Sequence, residues 1–259
     1  MKRRHVGLAA VVATMLMISS LAAQDDVLDD ESYVAGDCCD SGCGCRGTAY
    51  GEVQLLYLGT FATEHPWSGD DGNGLDAEGG VRLVTGYEGC NGLGIRFRWF
   101  NFDGAQGSGN SDLEGLDLEY FDVEITENIS ICNLHGVISA GYRHAKYDTY
   151  FNEDYAYSTF RGDGVTLGIQ LERDICCNIG LFGWLQHSML YGDDDNAEYP
   201  NTLMGWTEVQ LGIQTTSCIC GYDAVIRTGV EAQRHEGMMY TDTQDSGLIG
   251  WFVTGSLVF

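Results

Sequence analysis

Charged side chains on alternate positions are the first candidates for chemistry. Arg96 and Arg98 are interleaved with Leu93, Ile95, Phe97 and Trp99, and Arg227 and Glu231 with Ala224, Ile226, Thr228 and Val230. The same alternation adds Glu52, Gln54, Arg82, Asp117, Glu119, Arg143, Gln170, Glu172 and Glu208. Residues two apart in an extended chain share a face. Five arginines and six carboxylates thus fall on one face, with an apolar stripe on the other. Enclosed charges must be paired or hydrated, so this set can line a polar interior or a narrow ion path. Such a path would run along Arg96, Arg98, Arg227, Asp117 and Glu119.

Thiols are the second candidates. Cys38, Cys39, Cys43 and Cys45 cluster near the start, and Cys90, Cys132, Cys176, Cys177, Cys218 and Cys220 are spread through the rest. The clustered four do not match the two-residue spacing of a zinc knuckle. Disulfides among the ten are the expectation, with connectivity left open; no metal centre is expected. SGDDGNGLDAEGG (Ser68–Gly80) has carboxylates and glycines without the spacing of a calcium loop. Weak divalent-cation binding at such acidic loops, including Asp193, Asp194 and Asp195, is a candidate partner interaction. For hydrolysis, His187 with Ser188, His135 with Ser139, and His235 near the acidic run are the raw material. His187 and Ser188, being adjacent in a strand, point to opposite faces. No catalytic set is assigned, and no cofactor is expected, because no glycine-rich phosphate loop opens a helix.

The elements that position these residues are read from the same alternation. Ten segments carry it: Ala49–Tyr57, Gly80–Tyr87, Leu93–Phe102, Gly115–Ile125, Leu134–Lys146, Gly164–Glu172, Ile179–Leu190, Trp206–Gln214, Tyr222–Gln233 and Leu248–Phe259. Their lengths suit tilted strands that cross a bilayer. Connections alternate between long and acidic (Leu58–Gly79, Asp103–Glu114, Tyr147–Asp163, Tyr191–Gly205, Arg234–Gly247) and shorter (Glu88–Gly92, Thr126–Asn133, Arg173–Asn178, Thr215–Gly221). All ten cysteines then fall at the short-turn end, counting the tail. The phase of Gly115–Ile125 changes near Tyr120-Phe121, where a bulge is expected. Ile179–Leu190 is apolar on both faces.

The ends and the composition complete the reading. Residues 1–22 combine Lys2, Arg3 and Arg4 with an apolar run and a Ser20-Leu21-Ala22 site, as in a secretory signal peptide. Residues 23–47 are expected to be an acidic, cysteine-rich periplasmic tail, and 48–259 the barrel. Removing the three early cations leaves 10 basic against 38 acidic residues (13 less 3), a charge near −28 that repels nucleic acid. The final stretch GLIGWFVTGSLVF resembles the carboxy-terminal insertion signal of bacterial outer-membrane barrels, with Gly255 departing from it. GYEGCNGLGIRFRWFNFD (Gly86–Asp103) and LDLEYFDVEIT (Leu116–Thr126) resemble the Legionella-type major outer-membrane, pore-forming protein family, including its planctomycete-like members. That resemblance implies an outer-membrane barrel and supplies no catalytic residues. The expectation is an all-β, closed, antiparallel transmembrane barrel of about ten strands, in contact with outer-membrane lipid, structural or narrowly pore-forming and not an enzyme. A barrel hydrolase and a soluble secreted β-sandwich are the alternatives; oligomeric state is left open.

Overall fold

Alternation with turn residues between becomes ten strands in the computed structural model. It describes residues 47–62, 77–104, 115–131, 134–152, 155–176, 178–194, 201–219, 222–237 and 246–259. The strands are β1 (Thr48–Ala62), β2 (Ala77–Glu88), β3 (Leu93–Asp103), β4 (Gly115–Ile131), β5 (Leu134–Asn152), β6 (Tyr155–Cys176), β7 (Ile179–Asp194), β8 (Asn201–Ile219), β9 (Tyr222–Glu236) and β10 (Ser246–Val258). Each pairs antiparallel with its sequence neighbour, and β10 pairs with β1, closing the barrel. Closure rules out the two-sheet sandwich, which would leave open edges. Residues 1–46, which hold the expected signal peptide and tail, lie outside the described residues.

Register fixes the tilt. Starting at Ala49 and stepping across every pairing leads through Tyr87, Ile95, Ile125, Ala140, Leu167, His187, Thr207, Arg234 and Gly247 back to β1 at Phe61. The wall therefore slides twelve residues per circuit (49 to 61). With a rise of about 3.3 Å and a strand spacing of about 4.8 Å, that slide tilts the strands by roughly 40°.

Most strands run further than the alternation. Tyr147–Asp163, expected as a long loop, is instead a paired extension of β5 and β6 with only residues 153–154 between them. Its backbone bonds persist where outward positions turn polar (His144, Lys146, Arg161, Asp163) and the period-two signal fades. Register shifts interrupt β5–β6 near Tyr150 and β6–β7 between Asp174 and Cys176. The bulge expected at Tyr120-Phe121 is absent: β4 runs in unbroken register against both neighbours.

The β2–β3 turn is closed by Gly89 N–H donating to Leu93 O (2.8 Å) and Gly92 N–H donating to Gly89 O (3.0 Å). Gly92 has φ +80°, a left-handed conformation that a side chain would strain. Cys90 in this turn is disulfide-bonded. Cys176 and Cys218 are free and exposed, which corrects the expectation that they are bridged. Cys176 ends β6 and Cys218 stands one residue before the end of β8, with β7 between them; at about two strand spacings, ~10 Å, they are too far apart to bridge one another, since a disulfide spans ~7 Å between Cα atoms. Cys38, Cys39, Cys43, Cys45, Cys132, Cys177 and Cys220 lie outside the described residues. Alkylation of the unreduced protein should therefore label Cys176 and Cys218, with Cys90 labelled only after reduction; mass mapping checks both.

Candidate functional site

Inward residues form three layers, because each strand passes through successive environments as it climbs the tilted wall. The loop-side layer is apolar. Leu58, Phe102, Leu118, Phe160, Leu190, Met204, Trp206 and Leu248 are all at 0 % exposure and belong to one packed cluster. His235 is buried among them, edge-on to Trp206 (centroids 4.5 Å apart) and Tyr147 (5.4 Å).

The middle layer is ionic. Arg143 grips Asp122 with two bonds (Nε to Oδ1 2.7 Å, Nη2 to Oδ2 2.8 Å) and donates to Glu208 (2.6 Å). Arg82 donates from Nη2 to Glu208 (2.8 Å) and Glu231 (2.7 Å), and from Nε to the Tyr120 hydroxyl (2.9 Å). Tyr120 in turn donates to Glu208 (2.9 Å). Arg96 donates to Glu124 (2.5 Å) and Ser139 (2.9 Å), and Arg98 to Glu124 (3.4 Å) and Gln186. Four arginines thus meet four carboxylates. Aromatic faces cap the guanidiniums: Tyr120 lies 3.8 Å from that of Arg143, and Trp184 4.6 Å from that of Arg98.

The turn-side layer is open. A cavity of about 160 Å³ is lined by Tyr50, Glu52, Arg96, Arg98, Gln170, Phe182, Trp184 and Arg227, among others. Arg227 bridges its walls, donating to Glu52 (2.9 Å), Glu172 (2.8 Å) and Gln214 (3.1 Å).

Of the residues picked out by alternation, Arg82, Arg96, Arg98, Arg143, Arg227, Glu172, Glu208 and Glu231 face the lumen together. Asp117 and Glu119 do not. In β4 the inward residues are Leu116, Leu118, Tyr120, Asp122, Glu124 and Thr126. Asp117 and Glu119 sit on the outer wall at the loop end, where Glu119 accepts from Trp99 Nε1 (3.0 Å). Asp122 and Glu124 take their place in the lumen, so the count of six acids stands with two members changed. The signal that finds them is the apolar series Phe121, Val123 and Ile125, which faces out. Ile179–Leu190 resolves likewise: Phe182, Trp184, Gln186, Ser188 and Leu190 are inward.

The hydrolytic candidates are scattered. His187 is on the outer wall against the Thr207 hydroxyl (2.9 Å), while Ser188 is inside, donating to Thr166 (2.9 Å). His135 meets Ser130 (2.9 Å), and Ser139 is taken by Arg96. Asp193 and Asp194 end β7, and Ser68–Asp76 and Asp195 lie outside the described residues.

The chain matches no protein-family model and no curated protein. Similar solved structures include the outer membrane protease OmpT from Escherichia coli: 8 % identity, 82 % of this chain and 96 % of that chain covered, TM-score 0.44. The β domain of the Bordetella autotransporter BrkA has 10 % identity, coverage of 82 % and 98 %, and TM-score 0.45. Ail, the attachment invasion locus protein of Yersinia pestis, has 14 % identity, coverage of 82 % and 99 %, and TM-score 0.35. Nothing about this chain's activity follows from likenesses at these values.

Proposed function

We propose that this protein spans an outer membrane as a closed, structural barrel that carries acidic loops outward and conducts no solute. The observation that carries this reading is the loop-side layer: eight apolar side chains at 0 % exposure, seated on an ion-paired layer, fill the lumen. Interiors of small barrels are filled by side chains in this way.

The outer wall supports the membrane. Leu55, Leu167, Leu203, Leu211, Trp251 and Val253 all point outward and are more than half exposed. So large an apolar band is a liability in water and is satisfied in lipid. Tyr87 and Tyr222 mark its turn side and Tyr57 and Tyr191 its loop side, as interfacial aromatics do. A closed ring of strands leaves no unpaired edge in the hydrocarbon. No helix of the described residues is long and apolar enough to cross a membrane, so crossing falls to the strands. Tyr50 pairs with Val258, which puts both ends of the barrel with the turns. In this reading residues 1–22 direct export, the turn end is periplasmic, and the loops carry the divalent-cation affinity expected of acidic surfaces. The absence of a catalytic role is part of the proposal; it is supported by the separation of His187 from Ser188.

The test is planar-bilayer recording on protein shown to be folded by a heat-modifiable gel band. The folded barrel should give no unitary current. Reproducible ion-selective steps that change in R96Q/R98Q would overturn closure, and a band that does not shift on boiling would overturn the membrane barrel.

A further inference from the structure

One arginine of the lumen is less well served by carboxylates than its neighbours. Arg98 of β3 and Trp184 of β7 turn inward from different sides of the barrel, and the Arg98 guanidinium lies 4.6 Å from the indole ring. Both side chains line the turn-side cavity of about 160 Å³. They are 3 % and 6 % exposed, yet each keeps one donor without a hydrogen-bond partner, Arg98 Nε and Trp184 Nε1. The carboxylate oxygen nearest to Arg98 is 3.4 Å away, on Glu124. For Arg82, Arg96 and Arg143 the corresponding distances are 2.7, 2.5 and 2.6 Å. A buried cation is costly unless close acceptors replace its water, and an unpaired buried donor carries its full desolvation cost. The other buried side-chain polar atoms without partners, among the described residues, belong to Asp148, Trp206, Gln233 and His235, none of which lines this cavity. What the cavity lacks is an acceptor.

We propose that the turn-side cavity binds a small organic carboxylate, its charged end held by Arg98 and Trp184 and its apolar end against Phe182, Val84 and Val225. Charge decides for an anion over a cation. The wall carries the guanidiniums of Arg82, Arg96, Arg98 and Arg227 but only two carboxylates, Glu52 and Glu88. Glu124, Glu208 and Glu231, which pair with three of those arginines, stand off the wall. The two unused donors decide for a carboxylate, whose two oxygens can accept from both at once, the Arg98 bond being charge-assisted. Size and lining decide for a compact apolar body. A cavity of about 150 Å³ holds a benzene ring, and Phe182, Val84, Val137 and Val225 supply apolar wall. Neither donor is reached by solvent, so a ligand displaces no bond already made to water; a small turn of the two side chains brings both donors to it. The site rests on the geometry of the lumen and stands whether or not the loop-side layer seals the barrel.

The experiment titrates the ¹⁵N-labelled, folded barrel in detergent with sodium benzoate and follows the indole N–H signals by NMR. The Trp184 signal, assigned by its loss in W184F, should move downfield and saturate. Sodium chloride at equal ionic strength, benzyl alcohol and benzylammonium should leave it in place. Calorimetry supplies the affinities. W184F keeps an aromatic face and loses the N–H, and should bind benzoate about tenfold or more weakly, the worth of a hydrogen bond to a charged group. R98Q removes the charge and should abolish binding. If R98Q does not fold, as judged by heat-modifiability, the Trp184 signal and W184F still decide. A Trp184 signal that benzoate does not move would overturn the site. So would a folded W184F that binds benzoate as tightly as the parent. An equal response to benzyl alcohol would reduce the site to an apolar cavity, and an equal response to chloride to a general counter-ion effect; either overturns the carboxylate assignment.

Discussion

Replacing Arg143 by Met should lower the stability of the folded barrel by about 3–5 kcal/mol, among the largest single effects available in this chain. Arg143 is fully buried, holds Asp122 by two bonds and shares Glu208 with Arg82. Its removal leaves Asp122, among the described residues, with only the distant Nη1 of Arg98, 3.8 Å away, as a cationic partner. The loss comes from stranding a fully buried carboxylate and exceeds the worth of any one ion pair. R143M combined with D122N removes charge in equal measure and should recover a substantial part of the loss, because breaking one side of a buried pair costs more than replacing both. Urea unfolding in micelles checks both variants. Equal destabilisation by the single and double replacement would mean that packing against Tyr120 and Trp206, within 3.8 Å and 5.3 Å of the guanidinium, dominates instead.

The second large effect belongs to the outer wall. Leu211 lies mid-strand in β8, outward and 59 % exposed, between outward Val209 and Ile213. Leu211→Arg should destabilise the lipid-embedded barrel by about 2–4 kcal/mol, the cost of a cation near the bilayer midplane. Glu119→Arg, on the same outer face but at the loop rim, should cost about 0–1 kcal/mol. The contrast tests the outward facing of Glu119 as well as the height of the band. Similar losses at both positions would place Glu119 inside the lipid or the lumen, contrary to the register of β3, β4 and β5. Reversible folding into lipid vesicles gives both numbers.

Asp117 and Glu119 mark where the molecule departs from its period-two pattern of charge. A lumen polar along its whole length turns Asp117 and Glu119 inward and makes the change of phase at Tyr120-Phe121 a bulge. The strand is regular; the lumen is what changes, from apolar around Leu116 and Leu118 to ionic at Asp122 and Glu124. Ile179–Leu190 carries the same lesson, since inward Phe182 and Trp184 serve as aromatic faces for Arg227 and Arg98. The extension of β5 and β6 to Asn152 and Tyr155 was hidden for a related reason: beyond the band, both faces of a strand accept polar residues.

What the sequence determined by itself is the number of strands, their order along the chain, and which arginines turn inward. Period-two alternation is local, and it survives wherever a strand separates two different environments. What only the tertiary structure decided is the register in which β1 meets β10, the slide of the wall, the sealed loop-side layer and the pairing of charges. Arg82 meets Glu231 across 149 positions, and Asp103, Asp117 and Asp148 share a row through the register of three strands. Such meetings depend on shear around a closed ring, a property of all ten pairings together that no single segment encodes.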